Sequence, residues 1–267
     1  MNYITLGYGD LALAALLVLA NAALSLTLQL GLARQYLIAA ARMVVQLTLL
    51  GLVLKTLFAL VSPFWTGLAA LVMILFAGRE ILARQERRLT GFWTYGLGTT
   101  AMLFAATLVT VFALTAQVQP EPWYDPRYAL PLLGMVLGNT MTGVSLGLHL
   151  LSTGLVAERA AVEAQIALGA NRRTATLPVV RSALRGALIP IVNSMAATGL
   201  VSLPGMMTGQ ILAGVAPEEA VKYQMMVTFL IAGATGLGAV LAVMGGLYRL
   251  TDARHRLRLD RLHEARG

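Results

Sequence analysis

Gly143-Val-Ser-Leu-Gly147 fits G-x-S-x-G, the pattern that presents a serine nucleophile on a sharp turn. Ser145 would need a histidine from another element within hydrogen-bond reach. His149 follows in the same apolar run, and His255 and His263 lie in a basic tail, so a serine hydrolase set inside a membrane lacks its partner. Other polar residues also interrupt apolar runs. Arg42 and Gln46 stand one helical turn apart and would share a face. An arginine near the centre of a membrane span costs roughly 2.5–3.5 kcal/mol, whereas one near an end can snorkel to the interface. With Asn139, these two could form a polar cluster or meet an anionic substrate group. The run 189–210 carries Asn193, Ser194, Thr198, Ser202, Thr208 and Gln210 between Pro190 and Pro204. Proline inside a membrane helix frees a backbone carbonyl, and such breaks often line a pathway. Lys222, Tyr223 and Gln224 open a further run, where anchoring at the interface is the default. Met206, Met207, Met225 and Met226 form two pairs. Thioethers favour soft ions, but methionine more often packs.

These residues must be positioned by membrane helices. Of 267 residues, 58% are hydrophobic and 12% charged, about half the charged fraction of a soluble domain. The apolar runs predict an all-α integral membrane protein of about seven spans, near 10–32, 37–59, 64–82, 92–116, 129–151, 186–214 and 223–248. There are no cysteines, which removes disulfides, thiolate metal sites and cysteine nucleophiles. The net charge of +8 is a topology signal rather than a nucleic-acid footprint. Seventeen of the 20 Lys and Arg residues fall after spans 1, 3, 5 and 7 or at the edges of those loops, leaving Lys55, Arg127 and Lys222 for the other side. Basic loops stay cytoplasmic, so the N-terminus is expected outside and the C-terminus inside the cell, with the chain multi-pass in the inner (plasma) membrane. The first positive charge, Arg34, follows the first apolar run, so a signal peptide is a poor reading. The loop 117–128 has three prolines with Trp123 and Tyr124, which suits interface anchoring better than a substrate lid. The arginine-rich tail could touch anionic lipid. G-x-x-x-G spacing occurs at Gly134–Gly138, Gly143–Gly147 and Gly205–Gly209, and close helix packing is its expected use. One domain, 1–267, is expected, with a cytoplasmic loop at about 152–185.

Within that loop, Glu158 to Gly169 predicts a short helix ended by Gly169 in the left-handed conformation. Pro178 is expected to mark a turn or the start of the next helix. Glu163-Ala164-Gln165, then three residues, then Gly169-Ala170, resembles the EAA loop of ABC transporter permeases. In that family the loop is a coupling helix seated in a groove of the ATP-binding subunit. The resemblance assigns coupling to Glu163, Ala164, Leu168, Gly169 and Ala170, with Arg172 and Arg173 flanking the docking surface. Glu163, an acidic residue in the first turns of this helix, would favour the helix dipole.

A second resemblance covers nearly the whole chain. "GLVSLPGMMTGQILAG" (199–214) with "AVKYQMMVTF" (220–229), "SALRGALIP" (182–190), "GNTM" (138–141) and "ARMVVQL" (41–47) is similar to the iron-export permease family called FetB, the UPF0014 group. Membership implies an ABC permease subunit that exports iron or an iron complex, or another solute such as a nucleotide sugar or other metal. It also implies a homodimer paired with separate ATP-binding subunits, which carry the ATP and Mg. No G-x-x-x-x-G-K-[ST] occurs, so no ATPase activity and no cofactor are expected of this chain itself. The pathway is then expected along Arg42, Gln46, Asn139, Asn193, Ser202, Pro204, Met206, Met207 and Gln224. A passive channel is the rival within transport. The predicted spans offer no buried carboxylate except Asp10, so a hard ferrous or ferric ion would find few ligands.

Overall fold

The computed structural model describes residues 7–264. Among them seven helices are long and apolar enough to cross a membrane. The chain divides into two compact units, Met1–Leu60 and Val61–Gly267.

The first unit is a helical hairpin of α1 (Tyr8–Thr27) and α2 (Ala33–Leu60). Ser25 fixes its turn: its hydroxyl accepts from the Leu32 N–H at 3.0 Å, and its carbonyl accepts from the Leu30 N–H at 2.9 Å. Asp10, the one carboxylate expected to be buried within a span, is exposed at the start of α1, where its side chain accepts from the Gly7 N–H at 2.8 Å. It caps a helix end instead of sitting in a buried site.

The second unit is built around α5 (Pro126–Ala157). Asp125 caps it by accepting from the Arg127 N–H at 2.9 Å, and Pro126 supplies the preset φ of a first helical residue. At 1.5 Å per residue α5 is about 48 Å long, well beyond a hydrocarbon core of about 30 Å. It packs against α3 (Pro63–Ala83), α4 (Trp93–Phe112), α7 (Arg172–Ala197) and α9 (Pro217–Arg249). Large aliphatic side chains fill the core between these helices, and small residues set the closest approaches of their backbones. Gly143 of α5 faces Thr235 of α9, and Gly238 of α9 faces Thr140 of α5; in both a Cβ would lie 2.6 Å from the threonine methyl. Gly147 meets Val243 in the same seam. Only this one of the three G-x-x-x-G pairs makes a tight seam: nothing lies near Gly138, Gly205 or Gly209.

Three basic segments meet at one end of this unit. Strand β1 (Arg87–Leu89), after α3, pairs antiparallel with β2 (Leu262–Glu264) in the tail, setting Arg87 opposite Glu264 and Leu89 opposite Leu262. The Arg172 N–H, at the start of α7, donates to His255 Nδ1 at 3.4 Å. Its guanidinium donates to the Asp252 carbonyl and lies over the Tyr248 ring at 5.6 Å. The Arg256 backbone N–H, then its guanidinium and the Arg254 N–H, hold the Asp252 carboxyl below the usual carboxylate range. That stabilisation of the tail is present above the ordinary carboxylate pKa and is lost as pH falls through the depressed value. The tail therefore folds back onto the helix ends; Arg266 lies outside the described residues.

One expected span is displaced. Instead of 186–214, the sixth crossing is α7, 172–197. Asn171 starts it, its side chain accepting from the Thr174 N–H at 3.0 Å. Pro178 lies inside the helix rather than at its start. The apolar stretch begins only after the arginines of 172–185, but α7 is about 39 Å long and carries them on turns beyond it. Thr198 to Pro204 then leaves helical geometry, with Gly199 at φ 91°, and α8 (Gly205–Leu212) follows as a separate short helix.

Candidate functional site

The short helix α6 (Arg159–Ala167) forms where the sequence placed it, between α5 and α7. Val162 is buried and seats it, while Ala164 and Ala167 are exposed. Its C-terminus is a Schellman turn. The Gly169 N–H donates to the Ile166 carbonyl and the Ala170 N–H to the Gln165 carbonyl, both at 3.0 Å. Gly169 has φ 94°, open to glycine and strained for other residues. The turn lifts Leu168 to the tip, 89% exposed. Beneath the helix, a cleft of about 500 Å³ separates it from α5 and α7, with Val162, Gln165, Pro178 and Val179 in its walls. A rigid, capped peg over a cleft can tilt as a body when pushed.

Two details of the expected peg differ. Glu163, in the second turn, does not stand free: its carboxylate pairs with Arg159 at 2.8 Å on the exposed face. The pair is an i,i+4 contact in solvent, of small energetic weight. Arg172 and Arg173 do not flank the surface alike: Arg172 is drawn to the tail by His255, Asp252 and Tyr248, and Arg173 stays exposed.

The residues expected along a pathway lie on several elements. Arg42 and Gln46 lie on α2 in the first unit and Asn139 on α5 in the second. Asn139 donates back to the Met135 carbonyl of its own helix at 2.9 Å. Asn193 is exposed near the end of α7. Ser202 is held in the break after α7, where its carbonyl accepts from the Gly199 N–H at 2.9 Å, and Pro204 caps α8. At the end remote from α6, Met206 of α8 and Tyr223 and Met226 of α9 pack on Leu114, Leu132 and Leu230. Met206 is thus a packing residue in this arrangement. Gln210 of α8 and Gln224 of α9 each keep a buried side-chain oxygen with no donor, although Gln224 donates to Thr228 Oγ1 at 3.2 Å. Amide oxygens in that state are acceptors for water or a cation. Among the described residues no group of three or more His, Cys, Asp and Glu side chains comes together.

Ser145 is not paired with a histidine. Buried Gln85 donates to its carbonyl at 2.9 Å and its hydroxyl at 3.2 Å, tying the end of α3 to the middle of α5. The G-x-S-x-G glycines face α9, as described above, so the motif is a packing seam and not a nucleophile turn. Nothing in the local pattern marked Gln85, sixty residues from its partner. The loop aromatics Trp123 and Tyr124 lie edge to face, 6.0 Å between ring centres, beside Pro63 and Leu133 at the end opposite the tail.

Comparisons with known proteins agree with this architecture. The profile of the Uncharacterised protein family (UPF0014) matches residues 8–250. The chain is 36% identical over 230 residues to the UPF0014 membrane protein slr1647 of Synechocystis, covering 85% of this chain and 86% of that one. It is 31% identical over 262 residues to the Probable iron export permease protein FetB of Escherichia coli, covering 98% and 99%. It is 36% identical over 239 residues to the UPF0014 membrane protein STAR2 of Oryza sativa, covering 86% and 81%. No solved structure matches it. Matched along nearly its whole length, this multi-pass membrane protein belongs to the UPF0014 family.

Proposed function

We propose that the chain is the membrane subunit of an ATP-driven exporter, with ATP hydrolysed on a separate subunit that docks on α6. The observation that carries the proposal is the capped α6 with Leu168 at its tip, seated between two long helices at the basic end. A load applied there reaches α5, which touches every other long helix of its unit. The basic end faces the cytoplasm of the inner membrane, following the bias of Lys and Arg, and the N-terminus lies outside. Two copies pair with two ATP-binding subunits, which carry Mg-ATP. Glu163, Ala164, Leu168, Gly169 and Ala170 form the docking surface, with Arg173 at its margin.

The cargo is iron or an iron complex, by likeness to the relative named as a probable iron export permease. A specific observation favours a second cargo reading. The described residues bring together no cluster of hard ligands, and the two unsatisfied amide oxygens of Gln210 and Gln224 are too few to replace the hydration of a bare ion, which favours a solvated complex or a neutral solute. Inside-out vesicles holding this chain and its ATP-binding subunit test both. ATP-dependent iron accumulation is expected. ATPase activity stimulated by this chain without iron uptake would assign another cargo, and the absence of stimulation would remove the transporter.

A further inference from the structure

Arg249 closes α9 at the basic end with its guanidinium over the Trp93 ring, 4.7 Å from its centre. It lines an open groove of about 670 Å³ with Thr90, Phe92, Trp93, Gly96 and Thr100. No carboxylate lines this groove. The nearby tail acids Asp252 and Asp260 are already paired with Arg256 and Arg258. Arg249 Nε is shielded from solvent and donates to nothing. A shielded cationic donor without an acceptor is costly, and an anion from outside would complete it.

The groove's surroundings say where that anion comes from. Phe92 and Trp93 are exposed at the head of α4, the pairing of aromatic rings with a cation that suits the membrane interface. Beyond Thr100 on the same side of α4, Leu103 and Phe104 are exposed, as is Leu108, eight residues past Thr100 and about 12 Å along the helix. The groove thus has a cationic, aromatic head with an apolar helix face running on from it.

We propose that this groove binds one anionic glycerophospholipid, its phosphate on Arg249 and an acyl chain along α4. The site would also steady the tail. The Arg249 carbonyl accepts from Arg261 Nη1 at 2.8 Å, and the Thr90 N–H donates to the Arg261 carbonyl at 2.8 Å. This inference is independent of the cargo and of ATP.

Trp93 is a built-in reporter. A chain carrying Trp65→Phe and Trp123→Phe keeps it as the only tryptophan. In phosphatidylcholine vesicles, phosphatidylglycerol brominated near the glycerol end of its chains is expected to quench Trp93 with about fivefold preference over equally brominated phosphatidylcholine, given about 1 kcal/mol per surface cation. Arg249→Gln should abolish the preference. So should Gly96→Leu, which fills the groove and keeps the charge; an added Cβ there meets only the Phe92 ring edge at 3.8 Å. Arg254→Gln, in the exposed tail, should not. Equal quenching by the two lipids, or a preference that survives both groove variants, would overturn the proposal. Loss of the preference on adding inorganic phosphate would assign the site to the free anion instead.

Discussion

Gly169→Pro is expected to cut ATP-driven transport by roughly tenfold to a hundredfold while the chain still inserts and folds. Proline cannot take φ 94°, and it removes the N–H that donates to the Ile166 carbonyl. It also disfavours the helical conformation of Leu168 before it. Holding a residue in a sparsely allowed region costs roughly 1–3 kcal/mol; here the turn would rearrange instead, and the tip would lose its place. The added side chain meets nothing, because no atom lies within 4 Å of the Gly169 Cβ position. The damage is therefore confined to the geometry of the peg. Gly169→Ala should fall between, since left-handed alanine costs roughly 1–2 kcal/mol. Transport assayed beside the yield of folded protein separates the two effects. Unchanged transport by Gly169→Pro would remove α6 from the mechanism.

Gly143→Leu should fail at an earlier step. Its Cβ would lie 2.6 Å from the Thr235 methyl and 3.6–3.7 Å from the Thr235 and Ala187 carbonyls, so the backbones of α7 and α9 bound the space. Overpacking of this kind costs roughly 1–3 kcal/mol, and more where backbone must move. The cost is raised here because Thr140 and Gly238 form the reciprocal contact one turn away and cannot shift independently. The expected result is a marked loss of folded chain and a lower Tm for what remains. Gly138→Leu, five residues along the same helix with nothing nearby, should change stability by no more than about 0.5 kcal/mol. Equal tolerance of the two substitutions would contradict the seam.

The contrast between Gly143 and Gly138 also shows what the sequence could not reveal. Both belong to G-x-x-x-G spacings, but only packing distinguishes a glycine that receives a threonine from one that faces open space. The seven crossings were legible because long apolar runs are a direct reading of the lipid solvent. The Gly169 cap was legible because a positive φ selects glycine at a fixed offset from the helix. The start of α7 was hidden by its own arginines: the helix outruns the apolar stretch, and Pro178 sits within it. The pairing of β1 with β2 joins two three-residue strands from distant parts of the chain, too short to show alternation. The contact of Gln85 with Ser145 was invisible for a related reason, since neither residue carries a local signal of the other. Arg42 and Gln46 stand one turn apart on α2, as their spacing predicts, and Asn139 lies on α5.

The central claim is that an ATP-binding subunit grips this chain at α6. The chain has no cysteine, so one can be introduced at each end of the second unit. Leu168 and Leu200 are 89% and 93% exposed and lie beyond opposite ends of α7. Leu168→Cys and Leu200→Cys would each carry a thiol-linked photo-crosslinker in membranes that also hold the ATP-binding subunit. The account predicts a crosslink from position 168 and none from position 200. A crosslink from 200 alone, or from neither, would contradict it.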